Sequence, residues 1–315
     1  MFGWELVSGY NFGWMTRIRP VPKRKRLEAL RHLTAGGEVN VEADLRAASF
    51  LRMFRATRGL PGGIWWVRDG RKIRAVAMVR CSKGRVGFLH HSPAAAKGVN
   101  CEALVELVRA ITHKALTDGA FMLQSLLDEN SPRDADILGE AGFEELAELL
   151  YMRRNLYELP ESPDFSRWSF RNYHQFKEEE LVEVIRLTYQ GTHDCPRLSG
   201  VRKLEDVIVS HKFTGRFSPQ WWWVAYCKDR PAGCILVNRS GNGHSAEIAY
   251  MGVAPLFRGQ QLGYTLLCWA SNHIQTKNIG VLNLAVDARN TYAKDLYERF
   301  GFQETRRKRC FIFLR

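Results

Sequence analysis

The apolar and polar positions along the chain follow the same order twice. A helical apolar stripe over Glu102–Thr117 precedes the short run FMLQSLL, and a similar stripe over Leu262–Thr276 precedes VLNLAV. Each half then ends with a helix, a Gly-Phe pair and a β-rich run, EAGFEELAELLYMRRNL in the first half and ERFGFQETRRKRCFIFL in the second. This repetition predicts a tandem duplication. We expect two α/β domains, each with a mixed, mostly antiparallel sheet and flanking helices.

The segment Leu156–Arg167 breaks both periodicities and contains two prolines, so it predicts a linker. A strand and a helix begin near Met15, and we therefore expect one domain over residues 15–155 and a second over residues 168–315. Residues 1–14 are expected to form a flexible extension. They lack the basic start and the small-residue cleavage site of a signal peptide.

The second half contains a predicted hairpin, WWWVAYCKDRPAGCILVNRS, which turns at Lys228–Pro231. The run SAEIAYMGV then predicts another strand. In a strand without a bulge, alternation places Glu247, Ala249, Met251 and Val253 on one face.

Composition narrows the classes of protein to be considered. The formal net charge is +13, with basic runs at Lys23–Arg26 and Arg306–Arg309, yet no helix-turn-helix, zinc-finger or RNA-binding motif accompanies them. The charge fits either a solvated basic surface or attraction for a polyphosphate ligand, and nucleic-acid binding is not expected. The seven cysteines include no C-x-x-C pair, which favours a cytoplasmic location and predicts no metal site. No apolar run is long enough to span a membrane.

One short stretch, MGVAPLFRGQQLGYTLL, predicts an anion site where a strand turns into a helix. Helix N-termini expose unpaired amides and bind phosphate oxygens. Gly259 and Gly263 would let the backbone come close to such a ligand, and Arg258 would add a positive fork. The spacing fits neither the Walker A loop nor the dinucleotide-binding fingerprint.

A second motif follows in DARNTYAKDLYERFGF, where Asn290, Ala293, Tyr297, Gly301 and Phe302 form N-x-x-A-x-x-x-Y-x-x-x-G-F. Together the two motifs resemble the GNAT superfamily of N-acetyltransferases. The cofactor loop of that family is R/Q-x-x-G-x-G/A, and Gln261 stands where the family has glycine. The resemblance is strongest over residues 221–314.

The resemblance implies that acetyl-CoA lies between two splayed parallel strands, here Glu247–Val253 and Val281–Val286. Pantetheine would extend the first strand, and the diphosphate would sit on the loop Arg258–Gly263. The implied cofactor-binding residues are Met251, Gly252, Val253, Arg258, Gly259, Gln260, Gln261, Leu262, Gly263 and Asn290. For Asn290 the alternative is a helix cap.

Two side chains are candidates for proton transfer. By resemblance, Tyr297 would protonate the departing CoA thiolate, and Glu247 would be the general base that deprotonates the acceptor. The alternatives are a core tyrosine and a salt-bridged structural carboxylate. His193 and Asp194 are rival bases that would act through water.

The first half lacks these features, although it ends with the same Gly-Phe pair. At the positions of the asparagine, alanine and tyrosine stand Ser131, Asp134 and Leu138, and no R-x-x-G-x-G is present. We expect a degenerate copy that keeps the fold without the chemistry. His90 and His91 are expected to be surface residues because no acidic neighbour is evident.

The sequence therefore predicts an acetyl-CoA-dependent N-acetyltransferase that transfers acetyl directly to a primary amine in a ternary complex. The variable segment Tyr189–Gln220 is expected to line the acceptor cleft, whereas Trp221–Trp223 is expected to lie in the core. One alternative is a non-catalytic acyl-CoA-binding or regulatory protein on the same fold. A monomer and a homodimer are both compatible with the sequence.

Overall fold

The computed structural model describes residues 17–56, 62–241 and 243–315, so the predicted extension over residues 1–14 lies outside the described residues. Within these ranges the chain forms eight α-helices and twelve strands. The helices are α1 Arg26–Ala35, α2 Val41–Ala56, α3 Cys101–Thr117, α4 Pro132–Glu140, α5 Glu178–Tyr189, α6 Leu204–Lys212, α7 Leu262–Gln275 and α8 Thr291–Arg299. The strands are β1 Ile18–Pro20, β2 Gly62–Asp69, β3 Lys72–Cys81, β4 Val86–His91, β5 Met122–Asp128, β6 Glu144–Asn155, β7 Ser169–Asn172, β8 Trp222–Cys227, β9 Arg230–Arg239, β10 Ser245–Val253, β11 Val281–Asp287 and β12 Gln303–Leu314.

The first compact unit comprises the described residues up to Glu145 together with Phe311–Arg315. Its strands lie in the order β1-β2-β3-β4-β5, all antiparallel except the parallel pair β4 and β5. Helix α3 buries its apolar face in the core of this unit, where Leu104 and Leu107 lie with Phe311. The amide of Arg315 donates to the carbonyl of Phe121 at 3.1 Å, so the last residues belong to this unit.

The second unit comprises Leu146–Cys310. Its strands lie in the order β12-β6-β11-β10-β9-β8-β7, with β10 and β11 parallel. Helices α7 and α8 cover one face of this sheet, and α5 and α6 cover the other. Residues Trp221–Trp223 are buried, which confirms their predicted place in the core, and they alternate between the two faces.

The two units divide the chain differently from the predicted limits of 15–155 and 168–315. Leu150 and Met152, which end the first predicted domain, lie in the core of the second unit. Phe311, near the end of the second predicted domain, lies in the core of the first. Periodicity predicts that these strands form, but it contains no information on which sheet they join. The predicted limits stay a prediction for which parts of the chain fold alone.

The predicted fold class is confirmed in its main features. Both units are mixed α/β layers, and both contain one parallel strand pair that separates after three paired positions, Val86–Phe88 with Met122–Gln124 and Ser245–Glu247 with Val281–Asn283.

Candidate acyl-transfer site

The separation of β10 from β11 opens a gap in the sheet of the second unit. Pairing ends at Glu247 opposite Asn283, although β10 continues to Val253 and β11 to Asp287. Backbone N–H and C=O groups that leave a ladder need new partners. The gap can therefore receive a ligand that pairs with a strand edge.

A β-bulge at Ala249 changes the faces of β10. The register with β9 shifts between Ile248 and Tyr250. Ala246 and Ile248 pack in the same core as Met251 and Val253, whereas Tyr250 packs on the other face. The predicted shared face for Glu247, Ala249, Met251 and Val253 is therefore wrong, because a bulge inserts one residue and reverses the alternation beyond it.

The entrance of α7 presents free amides. Gln261 adopts a left-handed conformation with φ of 60° and ψ of 9°, and no side chain caps the helix. In the described part of the chain, the amides of residues 259–263 have no protein acceptor. Gly259 has a φ of +73°, and nothing lies within 4 Å of the place where a Cβ would stand. The partial positive charge at such a helix end suits an anion.

Close packing explains two other glycines. A Cβ on Gly263 would lie 2.8 Å from Cδ2 of Leu296, so this glycine lets α7 approach α8. A Cβ on Gly252 would lie 2.7 Å from Cβ of Thr188 and 2.8 Å from the hydroxyl of Tyr250. These glycines position the walls around the gap, whether or not a ligand contacts them.

The side chain of Arg258 is committed to the protein backbone. Its Nε donates to the carbonyl of Val253 at 3.1 Å, and its two terminal nitrogens donate to three carbonyls around the end of α5: Thr188 at 3.1 Å, Gln190 at 2.7 Å and Gly191 at 3.1 Å. A cation at the carbonyl end of a helix is stabilising. The guanidinium therefore ties the start of the variable segment to the end of β10, and an additional role as a phosphate fork stays a prediction.

The remaining predicted cofactor residues have defined places. Gln260 donates to the carbonyl of Leu256 at 2.8 Å and accepts from Arg167. Leu262 is buried in the core. Asn290 accepts from the amide of Ala293 at 3.2 Å and caps α8.

Glu247 lines a cavity of about 460 Å³ on the face of β10 opposite Ala246 and Ile248. The cavity is lined by Tyr151, Met152, Arg153, Glu247, Asn283, Leu284, Thr305 and Arg306. Burial raises the pKa of Glu247 above its ordinary value, against a smaller opposing effect of Arg306. A carboxylate with a raised pKa is suited to accept a proton from an ammonium group.

Tyr297 lies in the core between the sheet and α7, with its ring centroid 5.6 Å from that of Phe302. Burial raises the pKa of its hydroxyl, and the charge of Asp194 raises it further. The hydroxyl forms no hydrogen bond with any residue that the structure describes, so its proton is available to a ligand. Glu247 and Tyr297 thus lie on opposite faces of the sheet that contains the gap.

Sequence reasoning missed a polar cluster at the end of β11. Asp287 is fully buried, and Arg289 donates to both of its carboxylate oxygens at 3.0 and 2.7 Å. Asp194 accepts from the amide of Asp287 at 3.0 Å, and the amide of Cys195 donates to Asp287 at 3.2 Å. The D-x-R spacing before Asn290 is a local signal that could have identified the Arg289 pair. The role of Asp194 as a rival base stays a prediction. His193 packs at a tilt against the exposed ring of Tyr292, with ring centroids 5.5 Å apart.

The first unit also has a parallel strand pair, but it lacks the proposed proton donor. Leu138, which is fully buried, stands at the position that Tyr297 occupies in the second unit.

The expectation that His91 is a surface residue without an acidic neighbour is wrong. His91 is buried, and its Nδ1 lies 3.8 Å from Asp134 and 2.9 Å from the carbonyl of Ser92. The topology brings α4 back to the end of β4, and 43 residues of separation hide that contact in the sequence. Burial lowers the pKa of His91.

These features define a class of fold, the α/β domains with a splayed parallel strand pair and free amides at a helix entrance. Residues 218–304 match the family model of the Acetyltransferase (GNAT) domain.

Comparison with known proteins extends the similarity to both units. A curated relative, Mycothiol acetyltransferase of Mycolicibacterium smegmatis, is 30% identical over 162 residues, which are 50% of this chain and 53% of the relative. The aligned part thus spans about half the length of that relative.

Two solved structures share the fold. The GCN5-related N-acetyltransferase from Sphaerobacter thermophilus aligns over 94% of this chain and 95% of its own, with a TM-score of 0.63 and 18% identity. A tandem GNAT protein from the clavulanic acid biosynthesis pathway aligns over 94% of this chain and 98% of its own, with a TM-score of 0.55 and 12% identity. At these identities the comparison shows the fold alone, and that fold is the tandem GNAT arrangement.

The described residues contain neither a membrane-spanning helix nor a cluster that could bind a metal ion. None of the helices in these ranges has the length and apolar character needed to cross a membrane. Over residues 17–56, 62–241 and 243–315, no three His, Cys, Asp or Glu side chains are grouped so that they could hold a metal ion.

Proposed function

We propose that this protein is an N-acetyltransferase that moves an acetyl group from acetyl-CoA to a primary amine, in the second unit and within a ternary complex. The observation that supports the proposal best is the entrance of α7, where five consecutive amides, those of residues 259–263, have no acceptor among the described residues. Gly259 faces open space beside them. A diphosphate needs such a set of amides, and a helix entrance that the protein itself caps would not provide it.

Acetyl-CoA would supply an activated thioester when bound. The loop Arg258–Gly263 and Asn290 would lie at its diphosphate end, and Met251–Val253 would offer strand-edge hydrogen bonds to its pantetheine arm. Holding the two reactants together in the gap would provide a large part of the rate enhancement.

The chain's own groups would then move the protons. Glu247 accepts one proton from the acceptor ammonium, and the freed amine forms a bond to the acetyl carbon. The carbon–sulfur bond breaks, and Tyr297 gives its hydroxyl proton to the departing sulfur. The nitrogen then loses its second proton to the tyrosine oxygen, which leaves a neutral amide and restores the Tyr297 hydroxyl. A backbone amide at Met251–Val253 would stabilise the oxyanion that forms between these events.

A curated relative is named Mycothiol acetyltransferase, so amines related to mycothiol belong in the test panel, next to amino sugars, polyamines and amino acids. The non-catalytic alternative would bind the coenzyme in the same site but would not turn it over. The second unit has Tyr297 and Glu247 on opposite faces of the sheet that contains the gap, which favours the enzyme.

Two measurements test the proposal. Thermal unfolding with CoA and acetyl-CoA should show a rise in melting temperature, since a ligand at 100 times its Kd adds about 2.7 kcal/mol to the apparent stability. A Gly259→Val variant should lose that rise, whereas Gly241→Val, another exposed glycine with open space around it, should keep it.

The rate of CoA thiol release in the presence of each amine then distinguishes an acetyltransferase from a non-catalytic acyl-CoA-binding protein. Turnover that falls in Glu247→Gln and Tyr297→Phe, with the coenzyme-dependent rise retained, supports the acetyltransferase. A melting temperature that neither CoA nor acetyl-CoA changes would count against any coenzyme function. A coenzyme-dependent rise without turnover on any amine would favour the regulatory alternative.

A further inference from the structure

The cavity beside Glu247 has an ordered row of polar side chains across three strands. Glu247 on β10 pairs with Asn283 on β11, and Asn283 pairs with Arg153 on β6. Directly paired residues point to the same face of a sheet, and neighbouring strands lie about 4.8 Å apart, which separates the backbones of Glu247 and Arg153 by about 10 Å. A carboxylate, an amide and a guanidinium therefore follow one another along the cavity floor.

A second guanidinium lies at the positive end of this row. Arg306 on β12 lies over the ring of Tyr151, with its central carbon 4.5 Å from the ring centroid. Tyr151 and Thr305 line the same cavity. Arg153 also borders an adjoining cavity of about 300 Å³ with Asn283 and Ser245, so the row continues beyond the first cavity.

Neither cavity arginine is held in an ion pair. Within the described ranges neither Arg153 nor Arg306 forms an ion pair or a side-chain hydrogen bond, and the charge of Arg306 only partly opposes the rise in the pKa of Glu247. Arg307, the next residue along β12, pairs with Glu148 and Glu304. Two guanidinium groups outnumber the one carboxylate in the lining. The planar fork of arginine matches carboxylate and phosphate oxygens.

We propose that this cavity binds the acceptor, and that the acceptor is a small molecule with a primary amine at one end and an anionic group, a carboxylate or a phosphate, a few bonds away. The amine lies at Glu247, the anion lies at Arg153 and Arg306, and Asn283 and Thr305 contact the part between them. This inference rests on the proposed acetyl transfer and specifies its substrate class.

The charge pattern argues against two other acceptor classes. A polyamine would bring its second cationic group to the two guanidinium groups, where like charges repel. A neutral amino sugar would leave both guanidinium groups without a charged partner. Cavities of this size hold small ligands, so a peptide amine is also a poorer match.

Matched acceptor pairs test the inference directly. We would compare kcat/KM for amino acids against their carboxamides, and for glucosamine 6-phosphate against glucosamine, with acetyl-CoA saturating. The anionic member of at least one pair should be preferred by 10-fold or more, and the two pair types distinguish a carboxylate from a phosphate. Equal or better turnover of the neutral member in every pair overturns the inference while leaving acetyl transfer intact.

Substitutions in the cavity then test whether Arg153 and Arg306 cause the preference for an anionic acceptor. Arg153→Gln and Arg306→Gln should each reduce kcat/KM for the anionic acceptor at least 10-fold through KM, with little change for its neutral counterpart. Arg230→Gln, which removes an exposed arginine on the β8–β9 hairpin, should change neither. Unchanged discrimination in both cavity variants contradicts the assignment.

Failure of the inference and failure of the proposed function give different results. If no amine is acetylated, binding of the anionic amines is measured by calorimetry on the same full-length protein. Binding that Arg153→Gln weakens supports the subsite even without turnover, and no binding overturns it. The coenzyme-dependent rise in melting temperature reports on the acyl-CoA site independently.

Discussion

Gly263 lies directly against Leu296, so that a Cβ placed on the glycine would stand 2.8 Å from Cδ2 of the leucine. Packing alone therefore explains why glycine stands at this position of the coenzyme motif, because the glycine allows α7 and α8 to approach closely. A larger side chain would push α8, and with it Tyr297, away from the gap.

Overpacking at this contact gives the first prediction. Gly263→Val should lower the free energy of unfolding by about 1–3 kcal/mol. Gly263→Ala should have a small effect, because only the end of the leucine side chain must move. Chemical denaturation measures both variants.

The partner residue supplies the control. In a Leu296→Ala background the cost of Gly263→Val should shrink, and an unchanged cost would contradict the packing explanation. Gly139 in α4 is a helical glycine with nothing within 4 Å of its would-be Cβ, so Gly139→Ala should stabilise by about 0.5–1 kcal/mol instead.

The second prediction concerns Arg258, which joins four backbone carbonyls around the start of the variable segment. Arg258→Lys should loosen that segment, because a lysine ammonium cannot reproduce the planar fork. Amide hydrogen exchange at residues 190–195 should speed up at least several-fold. KM for acetyl-CoA and KM for the acceptor should both change little, because no residue of this segment lines the cavity beside Glu247.

A direct phosphate contact predicts a different result for Arg258→Lys. If KM for acetyl-CoA rises and exchange at residues 190–195 is unchanged, the guanidinium acts on the diphosphate and does not brace the segment. Arg299→Lys, an exposed arginine at the end of α8, should leave all three measurements unchanged.

The raised pKa of Glu247 gives a third prediction, on pH dependence. Burial raises the pKa of Glu247 in the folded state. In the unfolded chain the pKa of a glutamate is about 4.3, so at pH values just above this the folded protein keeps a proton that the unfolded chain has lost. The stability that Glu247 contributes is therefore lost as pH rises through its folded pKa. Glu247→Gln lacks this ionisation, and its advantage over the wild type should grow with pH.

Urea unfolding of both proteins from pH 4 to pH 8 measures that difference. A difference that stays constant across this range would show that the pKa of Glu247 is unshifted. In the same variants, the rising limb of kcat/KM against pH should lie above the ordinary carboxyl range in the wild type and disappear in Glu247→Gln.

The fourth prediction concerns the hydroxyl of Tyr297. Tyr297→Phe should lower kcat by about 10²–10⁴-fold, which is the usual contribution of a positioned proton donor. Because burial raises its pKa, the hydroxyl should stay protonated beyond pH 10, and no alkaline limb below that pH should come from it. Tyr264→Phe, on the neighbouring α7, should keep full activity. Equal kcat for Tyr297→Phe and the wild type removes Tyr297 from the mechanism.

Much of the fold could be predicted because its signals are local. The helical stripes of α3 and α7, the Gly-Phe pairs and the hairpin at Lys228–Pro231 each depend on residues close in sequence. The duplication and the splayed strands followed from the same patterns and from the resemblance, and the structure confirms them.

The features that could not be predicted all depend on distant contacts. The bulge at Ala249 is invisible in an alternating run, because a bulge depends on the partner strand β9. The carbonyls held by Arg258 lie up to 70 residues away. The row from Glu247 to Arg153 depends on the register of β10, β11 and β6. The sequence assigns β6 to the first predicted domain and the other two strands to the second.

The place of Phe311 has a consequence for how the protein is made. The ribosome synthesises residues 311–315 after the other residues of the unit whose interior Phe311 fills. The core of that unit can therefore be completed only after the whole second unit has been synthesised. Cutting the gene within the segment Leu156–Arg167 would separate β6 from its partner β11, and Phe311 from the core that it fills.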